Sequence, residues 1–335
     1  LRGHFGTILM RGQTTAARAL ADELHDAAQR DGNPATLIVG HYDQGVSRFY
    51  RGQLSEALPH FRKTVDLWKD DLDRTVPNDP GVEAHAYMAA IYVHLGMADK
   101  AREEARTAVA LAERLKKPFD IAFIRHFSTS VQVMLGDAVR ARESGKLGVA
   151  ECTQARIPHF ALTCGIFLGW AIAMQGDGAE GVAMIRECIT KLRAAGAMLE
   201  INYYLGLLAQ AQMCSGEVNQ ALETVGEAVR IAPDQEIFQP YPLWVREEVY
   251  VRLGSEEEAE QALRETIVFS RGIGDRMGEL RAATSLARIL MLRGRPTEAR
   301  EILSQAFTGF EEGFDTPHIA AARDLLAHER EPRLA

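Results

Sequence analysis

His85-Ala-Tyr-Met-Ala-Ala-Ile-Tyr-Val-His-Leu95, then Gly96, then Ala98-Asp-Lys-Ala-Arg-Glu-Glu-Ala-Arg-Thr-Ala-Val-Ala-Leu-Ala112, is the stretch whose reading decides the fold. The part before Gly96 is apolar on more than one face. The part after it sets Ala101, Ala105, Ala108 and Ala112 at helical spacing. That pattern predicts helix, tight turn, helix. Gly96 suits the turn because glycine adopts positive φ without steric cost. Ala101 is small so that the second helix can approach the first closely.

The same turn recurs along the chain at Gly12, Gly52, Gly96, Gly136, Gly176, Gly216, Gly254 and Gly294, with gaps of 40, 44, 40, 40, 40, 38 and 40 residues. Five residues after each stands Ala17, Ala57, Ala101, Ala141, Gly181, Ala221, Ala259 or Ala299. A fixed period of this size marks stacked repeats. The chain has 335 residues, more than one compact core usually holds, and a stack escapes that limit because each unit packs only on its neighbours. Breakers close each second helix: Gly32-Asn33-Pro34, Pro77 to Gly81, Pro118, Pro158, Gly196, Pro233 to Pro242, and Gly272 to Gly278. Ser55, Asp137, Asp177 and Ser255 are N-cap candidates, and Ser255 with Glu258 fits a capping box. The 44- and 38-residue gaps flank two proline-bearing insertions, Asp73–Gly81 and Ala232–Pro242, where the regular stack is expected to be disturbed.

The pattern resembles the tetratricopeptide repeat. That family places a small residue seven before the turn glycine, and here the position holds Gly45, Ala89, Thr129, Gly169, Ala209 and Ala287, with Phe5 and Glu247 breaking it. The later alanine of the family is loosely kept, as Leu24, Thr64, Ala108, Gly148, Cys188, Ala228, Thr266 and Ala306. The period near 40 exceeds the family's usual length of about 34, so the helices or the loops between repeats are longer.

Several stretches are similar to one group in particular, the C-terminal helical-repeat regions of large bacterial signalling proteins. In that group an adenylate/guanylate cyclase or DNA-binding domain is followed by an ATPase module and then by tetratricopeptide-like repeats. The resembling stretches are Glu279-Leu-Arg-Ala-Ala-Thr-Ser-Leu-Ala-Arg-Ile-Leu290, and Glu312-Gly-Phe-Asp-Thr-Pro-His-Ile319 with Ala322 and Leu325-Leu326. Asn78-Asp-Pro-Gly-Val82, Lys117-Pro-Phe119 and Leu168-Gly-Trp170 add to them. The departure lies at Asp234–Arg252, where Gln239-Pro-Tyr-Pro-Leu-Trp244 and Glu247 put the stacking of the seventh unit in question. Together the repeats and the resemblance predict an all-α, right-handed superhelical solenoid of about eight helix-turn-helix repeats. It forms one domain over residues 1–328, with a capping helix over about 314–328 and a frayed tail at 329–335. The chain opens at Leu1 with only eleven residues before Gly12, so it is expected to be a piece of a longer protein.

The chemistry is sparse. Gly145-Lys146 is the nearest approach to a phosphate-binding loop, but Leu147 follows it and the pair falls within a helix. Gly272-Ile-Gly274-Asp-Arg-Met-Gly278 lacks the spacing of a dinucleotide loop. The ten histidines are scattered. Cys152, Cys164, Cys188 and Cys214 form no ligand pattern and read as buried small hydrophobes in a reducing compartment. The net charge of −8 argues against a nucleic-acid binder, which needs a basic face. No signal peptide or apolar span long enough for a membrane is visible. The chain is therefore expected to be cytoplasmic, without catalytic, metal or cofactor residues, and to take a protein or peptide partner. That partner is another polypeptide or a domain of the same parent protein, and a homo-oligomer is compatible with the pattern.

In the tetratricopeptide fold the first helices line a concave groove. Carrying that geometry over selects Tyr42, Phe49, Tyr50, His94, Phe123, His126, Trp170, Tyr203, Gln210, Tyr241, Trp244, Arg252, Arg281 and Arg288 as groove residues, with Glu83, Ser130 and Glu248 among further polar members. Aromatics with scattered polar groups suit recognition of an extended segment. Against that stands the plainer reading that the rings fill wide gaps between long helices. Three functional readings follow: a protein-interaction module, a ligand- or signal-peptide sensor controlling an attached ATPase, cyclase or DNA-binding domain, and part of a cyclase whose catalytic domain lies outside this chain.

Overall fold

The computed structural model describes residues 2–69 and 78–328. Its helices pair into eight hairpins. The first four are α1 (Arg2–Met10) with α2 (Thr14–Asp31), α3 (Pro34–Tyr50) with α4 (Leu54–Leu67), α5 (Pro80–His94) with α6 (Ala98–Leu115), and α7 (Pro118–Met134) with α8 (Ala138–Gln154). The next four are α9 (Pro158–Met174) with α10 (Gly178–Ala194), α11 (Ile201–Cys214) with α12 (Val218–Ile231), α13 (Pro240–Leu253) with α14 (Glu256–Gly272), and α15 (Arg276–Leu292) with α16 (Pro296–Phe307). A last helix, α17 (Pro317–His328), lies against α15 and α16. The architecture is an all-α solenoid. Among the described residues no helix is long and apolar enough to cross a membrane.

All eight ladder glycines adopt positive φ, from +68° at Gly52 to +109° at Gly176. The prolines that were read as breakers also begin the next helix: Pro34, Pro80, Pro118 and Pro158 stand at the first helical position, where the missing N–H costs nothing. Capping follows a different set of residues from the one expected. Asp137 accepts from the Arg140 N–H at 3.0 Å, but Asp177 and Ser255 form no side-chain cap, and Ser55 lies inside α4. Asn33, Asp79 and Asp275 also cap, each accepting from a backbone N–H of the first turn that follows.

The first helices α5, α11 and α15 are buried nearly all round, and the second helices turn small residues inward, with Ala101, Ala105, Ala108 and Ala112 buried on α6. The fifth unit is packed especially tightly. There Gly181 takes the alanine position, and a Cβ on it would run into the Gly169 carbonyl oxygen and stand 2.7 Å from the Ala173 Cβ. The seventh unit, questioned from its sequence, packs regularly between the sixth and eighth.

The superhelix closes on itself. Turns of the early units abut the chain one superhelical turn later. A Cβ on Gly12 would meet the Met198 carbonyl oxygen at 3.1 Å, and one on Gly96 would meet the Phe310 ring at 2.5 Å. Polar contacts follow the same seam. Thr14 Oγ1 donates to the Asp234 carbonyl at 3.0 Å, and Arg281 Nη2 donates to the Met134 carbonyl at 2.8 Å. His94 and Asp275 pair at 3.0 Å. Glu312 accepts from the Asp99 and Lys100 backbone N–H groups.

The insertion at Ala232–Pro242 was expected to disturb the stack. It forms a short 3-10 helix, Glu236–Phe238, that turns into the channel. Phe238 stacks on Tyr203 with ring centres 5.1 Å apart and meets Phe49 edge-on. Most of the other insertion, Asp73–Gly81, lies outside the described residues, as does the tail at 329–335.

Candidate functional site

Channel closure gathers the first helices of units one to six around a cavity of about 400 Å³. Four of the groove candidates, Tyr42, Tyr50, Phe123 and His126, line it, together with Phe5, Tyr87, Phe160, His159, Glu83, Tyr204 and Glu200. The lining is mainly aromatic, with its polar groups gathered at a few points, which is the usual make-up of a ligand pocket.

Glu200 is the centre of the polar part. It sits just before α11 with φ +62°, a left-handed backbone that a non-glycine residue rarely adopts. The Gln235 side chain holds it there, accepting from the Glu200 N–H at 2.6 Å and donating to the Met198 carbonyl at 3.0 Å. The Glu200 carboxylate accepts from Tyr50 at 3.0 Å and from Tyr204 at 2.7 Å, and His126 Nε2 lies 3.6 Å away. Burial alone would push this carboxyl up. His126 and the two phenol hydroxyls prevail and hold it below the ordinary value, so it is a buried carboxylate. The His126 Nδ1 pairs with Thr163 Oγ1 at 2.9 Å.

Two further groups face the cavity. Glu83 accepts from Asn78 at 2.7 Å and from the Tyr42 hydroxyl. Burial lowers His159 to about 4, so its imidazole is neutral near pH 7 and offers one donor and one acceptor. These groups are set to hold a ligand: hydrogen-bonding points at fixed places, surrounded by aromatic faces.

The remaining groove candidates are elsewhere. Trp170, Tyr203, Tyr241 and Trp244 are buried in the closed half of the channel. Trp170 and Tyr241 both donate to Gln210 Oε1 at 2.6 Å, and Trp244 donates to Ser285, which donates in turn to Glu248. Arg281 lies over the Tyr241 and Trp244 rings. Phe49 and His94 pack into the seam. Arg252 and Arg288 are exposed. For these rings the gap-filling reading describes the geometry.

The sequence reading missed Glu200 and Tyr204. A signal existed for Glu200: it is the one acid in Ala197-Met-Leu-Glu-Ile201, an otherwise apolar run. The cysteine reading needs one correction, since Cys152 and Cys164 are buried but Cys214 is exposed, at the C-terminal end of α11.

Residues 280–305 match the tetratricopeptide repeat family. No curated protein matches the chain in sequence. Three solved structures share its course. A Rap protein complexed with competence and sporulation factor has a TM-score of 0.61 at 12% identity, over 97% of this chain and 95% of that one. In fold, the chain is a tetratricopeptide-like repeat solenoid. The Rap conjugation gene regulator of plasmid pLS20, in complex with the Phr* peptide, has a TM-score of 0.63 at 11% identity, covering 88% of the repeat region and 76% of its own chain. NprR in complex with its cognate peptide NprX follows at 0.55 and 12%, over 88% and 89%. At these identities the likeness is one of fold.

Proposed function

We propose that this repeat region is a non-catalytic regulatory module that takes an extended peptide, or a segment of a partner domain, into the channel of its superhelix. The observation that carries the reading is the aromatic cavity around Glu200, built by six units at once. A ligand there touches residues on both sides of the seam, Tyr50 and Glu200, which lie 150 positions apart. Occupancy is thereby coupled to how tightly the superhelix closes. The similar structures, two of them in complex with a peptide, support the reading by analogy of fold. The cyclase–ATPase resemblance supports a cytoplasmic signalling protein with an ATPase, cyclase or DNA-binding output domain, and places that domain among the candidate partners.

The test is selection of peptides from a random library against the purified chain, followed by measurement of their affinity. Phe123→Ala and His159→Ala remove cavity groups without opening the seam and should weaken the selected peptides at least tenfold. Equal binding to all three proteins sinks the proposal. A second reading, a small-molecule sensor, is favoured by the volume and aromatic lining of the cavity. A metabolite screen by thermal shift decides it, because a ligand of the folded state must raise the melting temperature.

A further inference from the structure

Away from the channel, three histidines that are scattered in sequence meet in space. His25 comes from α2, His41 from α3 and His60 from α4, and none lines the cavity. Their ring centres are 4.7 Å (His25–His41), 5.3 Å (His41–His60) and 5.7 Å (His25–His60) apart. His41 Nδ1 and His60 Nδ1 are 3.0 Å apart. His25 Nδ1 is buried without a hydrogen-bond partner, and its Nε2 faces the Gln29 amide nitrogen at 3.4 Å.

These separations have a simple counterpart. A tetrahedral ion with imidazole nitrogens at about 2.0–2.1 Å sets those nitrogens roughly 3.3 Å apart and the ring centres roughly 5 Å apart. The three rings already stand at that spacing, on helices held together by the α2–α3 and α3–α4 packing. All three side chains are half-buried, so an ion can reach them from solvent.

We propose that His25, His41 and His60 form a binding site for a borderline divalent transition metal ion of the Zn2+ class, with solvent completing the coordination. Among the described residues no three ligand side chains converge on one metal position as they stand. Binding therefore turns the His25 ring about its χ2, a soft torsion, and brings its unpartnered nitrogen toward the other two. The protonation state is already suitable. Burial lowers His41 and His60 to about 4 and lowers His25 as well, so all three are neutral near pH 7, the form that ligates metal. On His25 the carboxylates of Asp26 and Asp22 act against Arg48, while Lys63 acts on His41, and Arg48 and Arg18 act on His60. Imidazole donors favour Zn2+, Ni2+ or Cu2+ over Mg2+ or Ca2+.

The test uses the full chain without a histidine tag. ZnCl2 titrated calorimetrically at pH 7.5 should bind with one equivalent, and a His41→Ala/His60→Ala double variant should lose at least tenfold in affinity. MgCl2 should give no heat. Because alanine can loosen the packing of α3 on α4, CoCl2 is added to the unaltered chain as well. Visible bands of four-coordinate Co2+, without thiolate charge transfer and displaced by ZnCl2, support the site. The proposal is overturned by equal Zn2+ affinity in the double variant, by absence of the Co2+ bands, or by a thiolate band that moves the ion to Cys214.

Discussion

Replacing Glu247 with glutamine should make the protein more stable, by an amount that grows as the pH rises from about 4.5 to 7 and then holds. Glu247 is on α13 at the position where most units carry a small residue, and it is fully buried. Its Oε1 accepts from Arg246 Nε at 3.0 Å and Nη2 at 2.9 Å, while Oε2 is buried with no hydrogen-bond partner. Burial is the dominant effect and pushes the carboxyl from 4.5 up to about 7, against the pull of Arg246. A raised pKa means that the folded state holds the proton more tightly than the unfolded state. The associated stability is fully present below pH 4.5 and is lost as the pH rises through 7. A shift of this size at 1.36 kcal/mol per unit, trimmed for the partly open Arg246 beside it, amounts to about 2–3 kcal/mol. Glutamine keeps the shape and has nothing to titrate. Urea unfolding of both proteins at pH 5, 6.5 and 8 should show near-equal stability at pH 5 and a lead for Glu247→Gln of about 2 kcal/mol at pH 8. Parallel pH profiles would refute the reasoning, as would a variant that is weaker at pH 8.

Gly181→Ala restores the residue found in the other seven units, yet it should destabilise by about 1–3 kcal/mol in urea unfolding, because the Gly169 backbone occupies the space of the new methyl group. Gly96→Ala and Gly216→Ala both place alanine at positive φ, at a shared cost of about 1 kcal/mol. Only Gly96 faces a neighbour, the Phe310 ring, so its variant should lose distinctly more; equal losses would argue against the seam. Tyr50→Phe deletes one donor to the buried Glu200 carboxylate and should cost about 1–3 kcal/mol in thermal unfolding.

The local grammar of the chain was readable. Each ladder glycine marks a left-handed turn, and each small residue five positions on marks a close helix approach, because both demands arise within one hairpin. The resemblance to tetratricopeptide repeats came from the same local demands. Closure was not readable, because it depends on the summed rotation of several units. That is why Gly12 gave no sign of Met198, or Gly96 of Phe310. The groove positions inherit this limit. Tyr42, Tyr50, Phe123 and His126 reach the cavity, whereas Trp170 and Trp244 point at the same face where it is already filled. The histidine cluster was hidden for a related reason, since its members come from three helices at no recognisable ligand spacing. Ser255 shows the opposite failure: it stands just before α14, where the capping sequence puts it, yet its hydroxyl makes no cap hydrogen bond.

The seam also changes how the protein should unfold. An open solenoid behaves as a row of semi-independent units, each coupled only to the next, so its ends can fray and short arrays survive truncation. Here Thr14 is tied to Asp234, Arg281 to Met134 and Glu312 to Asp99, so each end of the chain leans on units far along it. Such remote pairings raise the contact order, which slows folding. They should also make the chain melt more nearly as one block, so that trimming an end unit loosens the distant units it rests on.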